Sequence, residues 1–169
     1  MKTRRSLLST LILLLLVAVG PVWGETLAPA VPAPVVTKST LVIVIQGTVN
    51  GPPESVPFSG KVQIKATAVT DPDFGGQPSV HLAIDFLDVQ GLGATTRTKF
   101  FAVEEDELMR RLVASDRIDL VFTIVPDKGT VELATVRTGL ASLTLTFDGA
   151  GNLTAGTGSI TNNPFAPNL

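Results

Sequence analysis

Beyond residue 39 the chain alternates apolar and polar positions over long stretches. Between 59 and 70, Val62, Ile64, Ala66 and Ala68 fall on one side, and Lys61, Gln63, Lys65 and Thr67 on the other. Residues 79–89 repeat the pattern, with Val80, Leu82, Ile84 and Phe86 opposing His81, Ala83 and Asp85. A period of two marks a strand with one covered face. Thr40 to Ile45 is apolar without interruption after its threonine, which predicts a strand covered on both faces. Further strands are expected over about 95–103, 117–125, 130–137, 140–148 and 153–160. Between them lie turn signals: Asn50-Gly51-Pro52-Pro53, Asp71 to Pro78, the Gly91/Gly93 pair, and Phe147 to Asn152.

One stretch follows another rhythm. Glu104 to Leu112 opens with four acids and closes with Arg110 and Arg111, an order that complements a helix dipole. Leu108 and Leu112 stand four apart, and Asp106–Arg110 and Glu107–Arg111 have the spacing of helical ion pairs. The expectation is therefore an all-β domain of about eight antiparallel strands, forming a barrel or sandwich, with one short helix between strands 4 and 5. A domain over residues 39–160 is long enough to bury roughly two-thirds of its surface without covalent help. Residues 161–169 read as a flexible tail.

The head of the chain is different. Lys2, Arg4 and Arg5 precede an apolar run from Leu7 to Val19, then Gly20-Pro21 and a small residue at Gly24. That is the layout of a secretory signal peptide over residues 1–24, with an apolar core short of the ~20 residues a membrane span needs. Residues 25–38 carry Pro29, Pro32 and Pro34 among Ala and Val, the composition of a semi-stiff linker. Cleavage after Gly24 implies a periplasmic or extracellular protein with no membrane contact once the leader is gone. The twin arginines admit either the general or the twin-arginine route.

Removing the leader changes the composition. Three of the 13 basic side chains go with it, leaving 10 against 15 acidic ones, net −5. Trp23 goes too, so the remainder has no Trp, Tyr or Cys. Zero Cys excludes disulfide scaffolds, thiolate metal sites and thiol nucleophiles. A mildly acidic chain without a basic cluster or stacking aromatics argues against nucleic acid as a partner.

Candidate chemistry is sparse. His81 is the only imidazole, and its facemate Asp85 lies ~13 Å along the strand, so no local dyad exists. No Gly-x-Ser-x-Gly elbow is present. Asp71 and Asp73 sit two apart in a glycine loop and are the first place to look for a cation, although position twelve from Asp71 is Leu82 rather than an acid. Phe58, Phe86, Phe122 and Phe147 fall at inward positions and predict core. Phe100 and Phe101 are adjacent, so one faces away from the other; they are the candidate lining of a small apolar-ligand pocket.

Thr146 to Thr154 followed by Gly156 to Ile160, together with Val69 to Gly75 and Leu108 to Val113, resembles segments of a group of small exported bacterial all-β proteins with no assigned activity. The resemblance implies an exported β domain and carries no site residues. The strand count is similar in shape to calycin barrels such as lipocalins, but the first strand has Gln46-Gly47-Thr48 where those carry Gly-x-Trp. The function expected is non-enzymatic, with no cofactor: a structural or interaction domain meeting another protein through its β surface or a sheet edge. A barrel holding a small apolar ligand is the alternative, ahead of a hydrolase or cation-binding protein.

Overall fold

The structure is a computed structural model and describes residues 33–71, 78–127 and 137–165. Eight strands follow in order: β1 (Val35–Val49), β2 (Val56–Thr70), β3 (Ser79–Leu92), β4 (Lys99–Val103), β5 (Glu105–Arg111), β6 (Ser115–Pro126), β7 (Arg137–Phe147) and β8 (Leu153–Asn162). Seven of them close a mixed barrel in the ring order β2-β1-β8-β7-β6-β4-β3 and back to β2. The eighth, β5, pairs with β3 alone among the described residues. Neighbours in the chain are neighbours in the ring, except where the ends meet. That closing pair, β1 with β8, is parallel over Ile45↔Gly158 to Gly47↔Ile160. An up-and-down ring of seven positions is odd, so its last strand runs the same way as its first. The expected all-antiparallel arrangement is corrected at this one pair.

The expected helix is also corrected: residues 105–111 are strand β5, and the described residues contain no helix. Positions four apart share a face in a helix and in a strand alike, so Leu108 and Leu112 fit both periods. The paired edge of β3 decides between them. Its backbone takes up β5 from Ser79↔Arg111 to Asp85↔Glu105, and Leu108 packs against the core opposite Leu82. A seven-residue segment makes few internal helical bonds, whereas a strand beside β3 pairs along its full length. Other boundaries shift as well. β1 begins at Val35, inside the stretch read as linker, and β8 ends at Asn162. The leader, Asp73 and most of the strand expected over 130–137 lie outside the described residues.

Period-two burial fills the ring. Ile43, Ile45, Val62, Ile64, Leu82, Ile84, Phe122, Leu143 and Leu145 are all buried. A ring of this size has an interior that side chains can fill. β8 contributes little bulk: Gly156 and Gly158 face inward, and a Cβ on Gly158 would stand 2.5 Å from Ile45 and 2.8 Å from Leu143. Those glycines leave room for the branched side chains of β1 and β7. Phe58, Phe86 and Phe122 pack as expected, with ring centroids 5.9 Å apart for Phe58–Phe122 and 5.7 Å for Phe86–Phe122. Phe147 is buried beside the last turn.

That turn is the hairpin read from the sequence. Asp148 accepts from the Ala150 and Asn152 amides at 2.9 and 2.8 Å, and Gly151 takes a φ of 83° that favours glycine. At the opposite end, Glu54 accepts from the Thr95 and Thr96 amides at 2.7 and 2.9 Å and from the Thr96 hydroxyl. Arg137 donates to the Glu54 and Val49 carbonyls at 2.7 and 3.0 Å. This buried latch ties the β1–β2 loop to the β3–β4 loop and to the start of β7.

The latch and the hairpin set the acid response. Thr96 holds the Glu54 carboxyl below its usual range, with Thr95 and Arg137 helping; Asn152 does so for Asp148, and Ser142 with Arg117 for Asp119. A carboxyl depressed in the fold adds stability above its unfolded pKa of ~4, and that contribution is lost as pH falls through the folded value. Burial, then Asp106, raises Glu104, whose contribution has the opposite sign: present in acid and lost as pH rises through its folded value. Below about pH 4 the Glu104 contribution is already complete, so the three depressed carboxyls set the direction. The thermal midpoint followed by far-ultraviolet circular dichroism should therefore drop below about pH 4; a midpoint level or rising there would contradict the hydrogen-bond assignments.

Candidate functional site

Among the described residues, one interruption of the ladders lies between β5 and β6. β4 pairs with β6 from Phe100↔Pro126 to Val103↔Thr123, and there the ladder stops. Glu104 separates β4 from β5. From there on β5 follows β3, whereas Ser115 to Phe122 of β6 pair only with β7 among the described residues. Two strand edges therefore border this seam, β5 over its seven residues and β6 from Ser115 to Phe122.

Arg110 bridges the seam near its far end. Its Nε and Nη2 donate to the two carboxylate oxygens of Asp116 at 3.0 Å each, and Nη2 also reaches the Arg117 carbonyl at 3.4 Å. This fork-on-fork geometry is the strong form of an arginine–carboxylate pair. Asp116 is 13 % exposed and raises the Arg110 pKa through these bonds. The Val103↔Thr123 pair and the Arg110–Asp116 bridge belong to the same register, because the residue numbers of each pair have the same sum. The seam is thus a hairpin whose two ends stay in step while its middle carries no ladder.

The side chains along the seam suit a sheet edge. Glu104 and Asp106 lie on the inner face of their strand, opposite Phe86 and Ile84. Inward-pointing charge on an edge strand keeps it from pairing indiscriminately. On the outer face are Glu105, Glu107, Met109 and Arg111, all exposed, with Met109 at 76 %. The backbone direction follows from the rungs that continue the β3–β5 ladder beyond its ends. The Phe86 amide donates to the Glu104 carbonyl at 3.2 Å and the Leu112 amide to the Pro78 carbonyl at 3.0 Å. Even-numbered residues of β5 thus bond toward β3, and by alternation the amides and carbonyls of Glu105, Glu107, Met109 and Arg111 point away from it.

The residues singled out in the sequence do not converge. His81 sits on the outer face of β3 with Nε2 3.6 Å from Glu107 Oε2, replacing the helical pairing expected for that glutamate. Arg110 likewise takes Asp116 and not Asp106; a strand sets residues four apart ~13 Å from each other. Asp71 follows the end of β2, and no group of three or more His, Asp or Glu among the described residues is placed to hold a metal ion. Phe100 packs against the core, while Phe101 has the Lys99 ammonium 5.1 Å from its ring centroid. A shallow groove of about 760 Å³ lies beside them, lined by Thr48, Pro57, Phe58, Gly91, Leu92 and Lys99 among others, with neither Phe100 nor Phe101 in its wall.

Sequence reasoning missed the edge because it assigned these residues to a helix. The inward positions of β5 are Asp106, Leu108 and Arg110, of which one is apolar, so the sequence carries no alternating signal over this strand. Compared with known proteins, the chain matches no family model, no curated protein and no solved structure.

Proposed function

We propose that the protein is an exported, non-enzymatic interaction domain that takes up an extended chain along β5. The observation that carries this reading is the seven-residue edge whose odd-numbered backbone groups point away from β3. Strand addition uses those groups for affinity and the flanking side chains for selectivity. The barrel behind the edge is packed, so β5 is presented from a rigid body, and the latch at the other end holds the loops in place. Export rests on the leader pattern of residues 1–24. The second reading, a small apolar ligand near Phe100 and Phe101, has less support, since Phe100 is partly buried and packs against the core.

The reading is tested with peptides selected from a random library for binding to the protein. A selected peptide should slow amide exchange at Glu105, Glu107 and Met109. Peptides whose protection falls on other surfaces would overturn it.

A further inference from the structure

We infer that Asn50 is a self-modifying position, where the Gly51 amide displaces the side-chain nitrogen and converts the asparagine into aspartate and isoaspartate. Asparagine is among the thermolabile residues. Its reaction with the next residue has three requirements. The asparagine side chain must be free to swing, the following residue must offer no side chain in the way, and the following amide must not be held by an acceptor.

The β1–β2 loop meets all three. Asn50 and Gly51 are both exposed. Among the described residues, neither the Asn50 side chain nor the Gly51 amide takes part in a hydrogen bond; Asn50 is held through its backbone N–H, which donates to Asn162 Oδ1 at 2.7 Å. Gly51 has a φ of 132°, and a Cβ there would meet nothing nearer than Arg137 Nη2 at 4.0 Å, so that side of the reacting amide is open. The other described asparagines each fail a requirement. Asn152 donates through Nδ2 to Asp148 at 2.8 Å, and the amide that would attack it, that of Leu153, donates to Ser39 Oγ at 2.8 Å. Asn162 is engaged through Oδ1 and is followed by Asn163, which has a side chain. Asn163 bonds Thr138 Oγ1 and the Phe165 amide at 3.0 Å each, and it precedes Pro164, which has no N–H to lose.

The step balances with water as its only co-reactant. The Gly51 nitrogen loses its proton and bonds to the Asn50 side-chain carbonyl carbon, closing a cyclic imide, and the side-chain nitrogen leaves as ammonia. Water then opens the imide. Attack at the former side-chain carbon gives aspartate; attack at the main-chain carbonyl gives isoaspartate, whose chain runs on through the side chain with an extra carbon. Either product adds a negative charge to an acidic chain. Isoaspartate also lengthens a loop whose two ends are pinned by one guanidinium, since Arg137 binds the Val49 and Glu54 carbonyls at 3.0 and 2.7 Å.

The test is peptide mapping by mass spectrometry of the folded protein after incubation at mildly alkaline pH, with ammonia release measured alongside. Asn50 should convert at least about tenfold faster than Asn152, whose attacking amide must first leave its acceptor. The converted peptide should contain both aspartate and isoaspartate; aspartate alone would mean direct hydrolysis and would overturn the route through Gly51. In Asn50→Gln the side chain is longer by a carbon and does not close the same ring, so ammonia release should fall to the level set by the remaining asparagines. Asn50 left intact in the folded protein, conversion at Asn152 or Asn162 as fast as at Asn50, or ammonia release unchanged in Asn50→Gln would each overturn the inference.

Discussion

Phe122→Ala should cost the barrel about 3–5 kcal/mol, the range for deleting a buried aromatic ring. Phe122 is fully buried, at the meeting point of Phe58 and Phe86. The backbone beneath it is shaped to its ring: a Cβ on Gly139 would stand 2.7 Å from its Cε1 and 2.8 Å from its Cε2. β6 and β7 are fixed by their ladder at Phe122↔Gly139, so the hole left by the ring cannot close by side-chain adjustment alone. A domain of this size has roughly 5–15 kcal/mol in total, so the loss is a large share of it. Urea unfolding followed by far-ultraviolet circular dichroism measures it. A loss below about 1 kcal/mol would mean that the three rings do not form a shared core.

Gly47→Val should open the ring. Gly47↔Ile160 is the last of three rungs in the parallel pair that joins the two ends of the sheet. A Cβ at Gly47 would lie 2.7 Å from the Ile160 carbonyl carbon and 2.9 Å from its amide nitrogen, and closer still to the carbonyl oxygen. These are backbone atoms of a paired strand, which cannot rotate away as a side chain does. Relief requires β8 to leave β1 at that rung, with only Ile45↔Gly158 and Gln46↔Ser159 left. The expected loss is about 3 kcal/mol or more, at or beyond the upper end of overpacking costs. It should be accompanied by fast exchange of amides in β1 and β8 while the β2–β3 ladder stays protected. Loss of protection in β2–β3 alone would contradict the assigned closure.

Much of this fold was legible because burial imposes a period of two. The alternation of β2 and β3, the inward phenylalanines and the Asp148–Asn152 hairpin follow from residues that act locally. β5 was not legible because its apolar spacing of four satisfies helix and strand together, and its charge order suits a helix dipole. The choice belongs to the edge of β3, which is distant in sequence. The parallel closure was concealed by the strand expected over 130–137: it makes eight ring strands, an even number, whereas seven ring positions bring the ends together in the same direction. The helix reading hid the Arg110–Asp116 bridge, since a helix assigns Arg110 to Asp106. The Glu54 latch joins residues from two loops and the start of β7, and no short motif announces it.

Edge recognition is tested most directly by residue-resolved amide exchange along β5, first in dilute protein and then with a saturating selected peptide. In the dilute state the amides of Asp106, Leu108 and Arg110, bonded toward β3, should exchange slowly, and those of Glu105, Glu107 and Met109 fast. The peptide should slow the fast set and leave the other set unchanged. Slow exchange at Glu105, Glu107 and Met109 already in the dilute protein would show that the edge has a partner within its own chain, and would contradict the proposal.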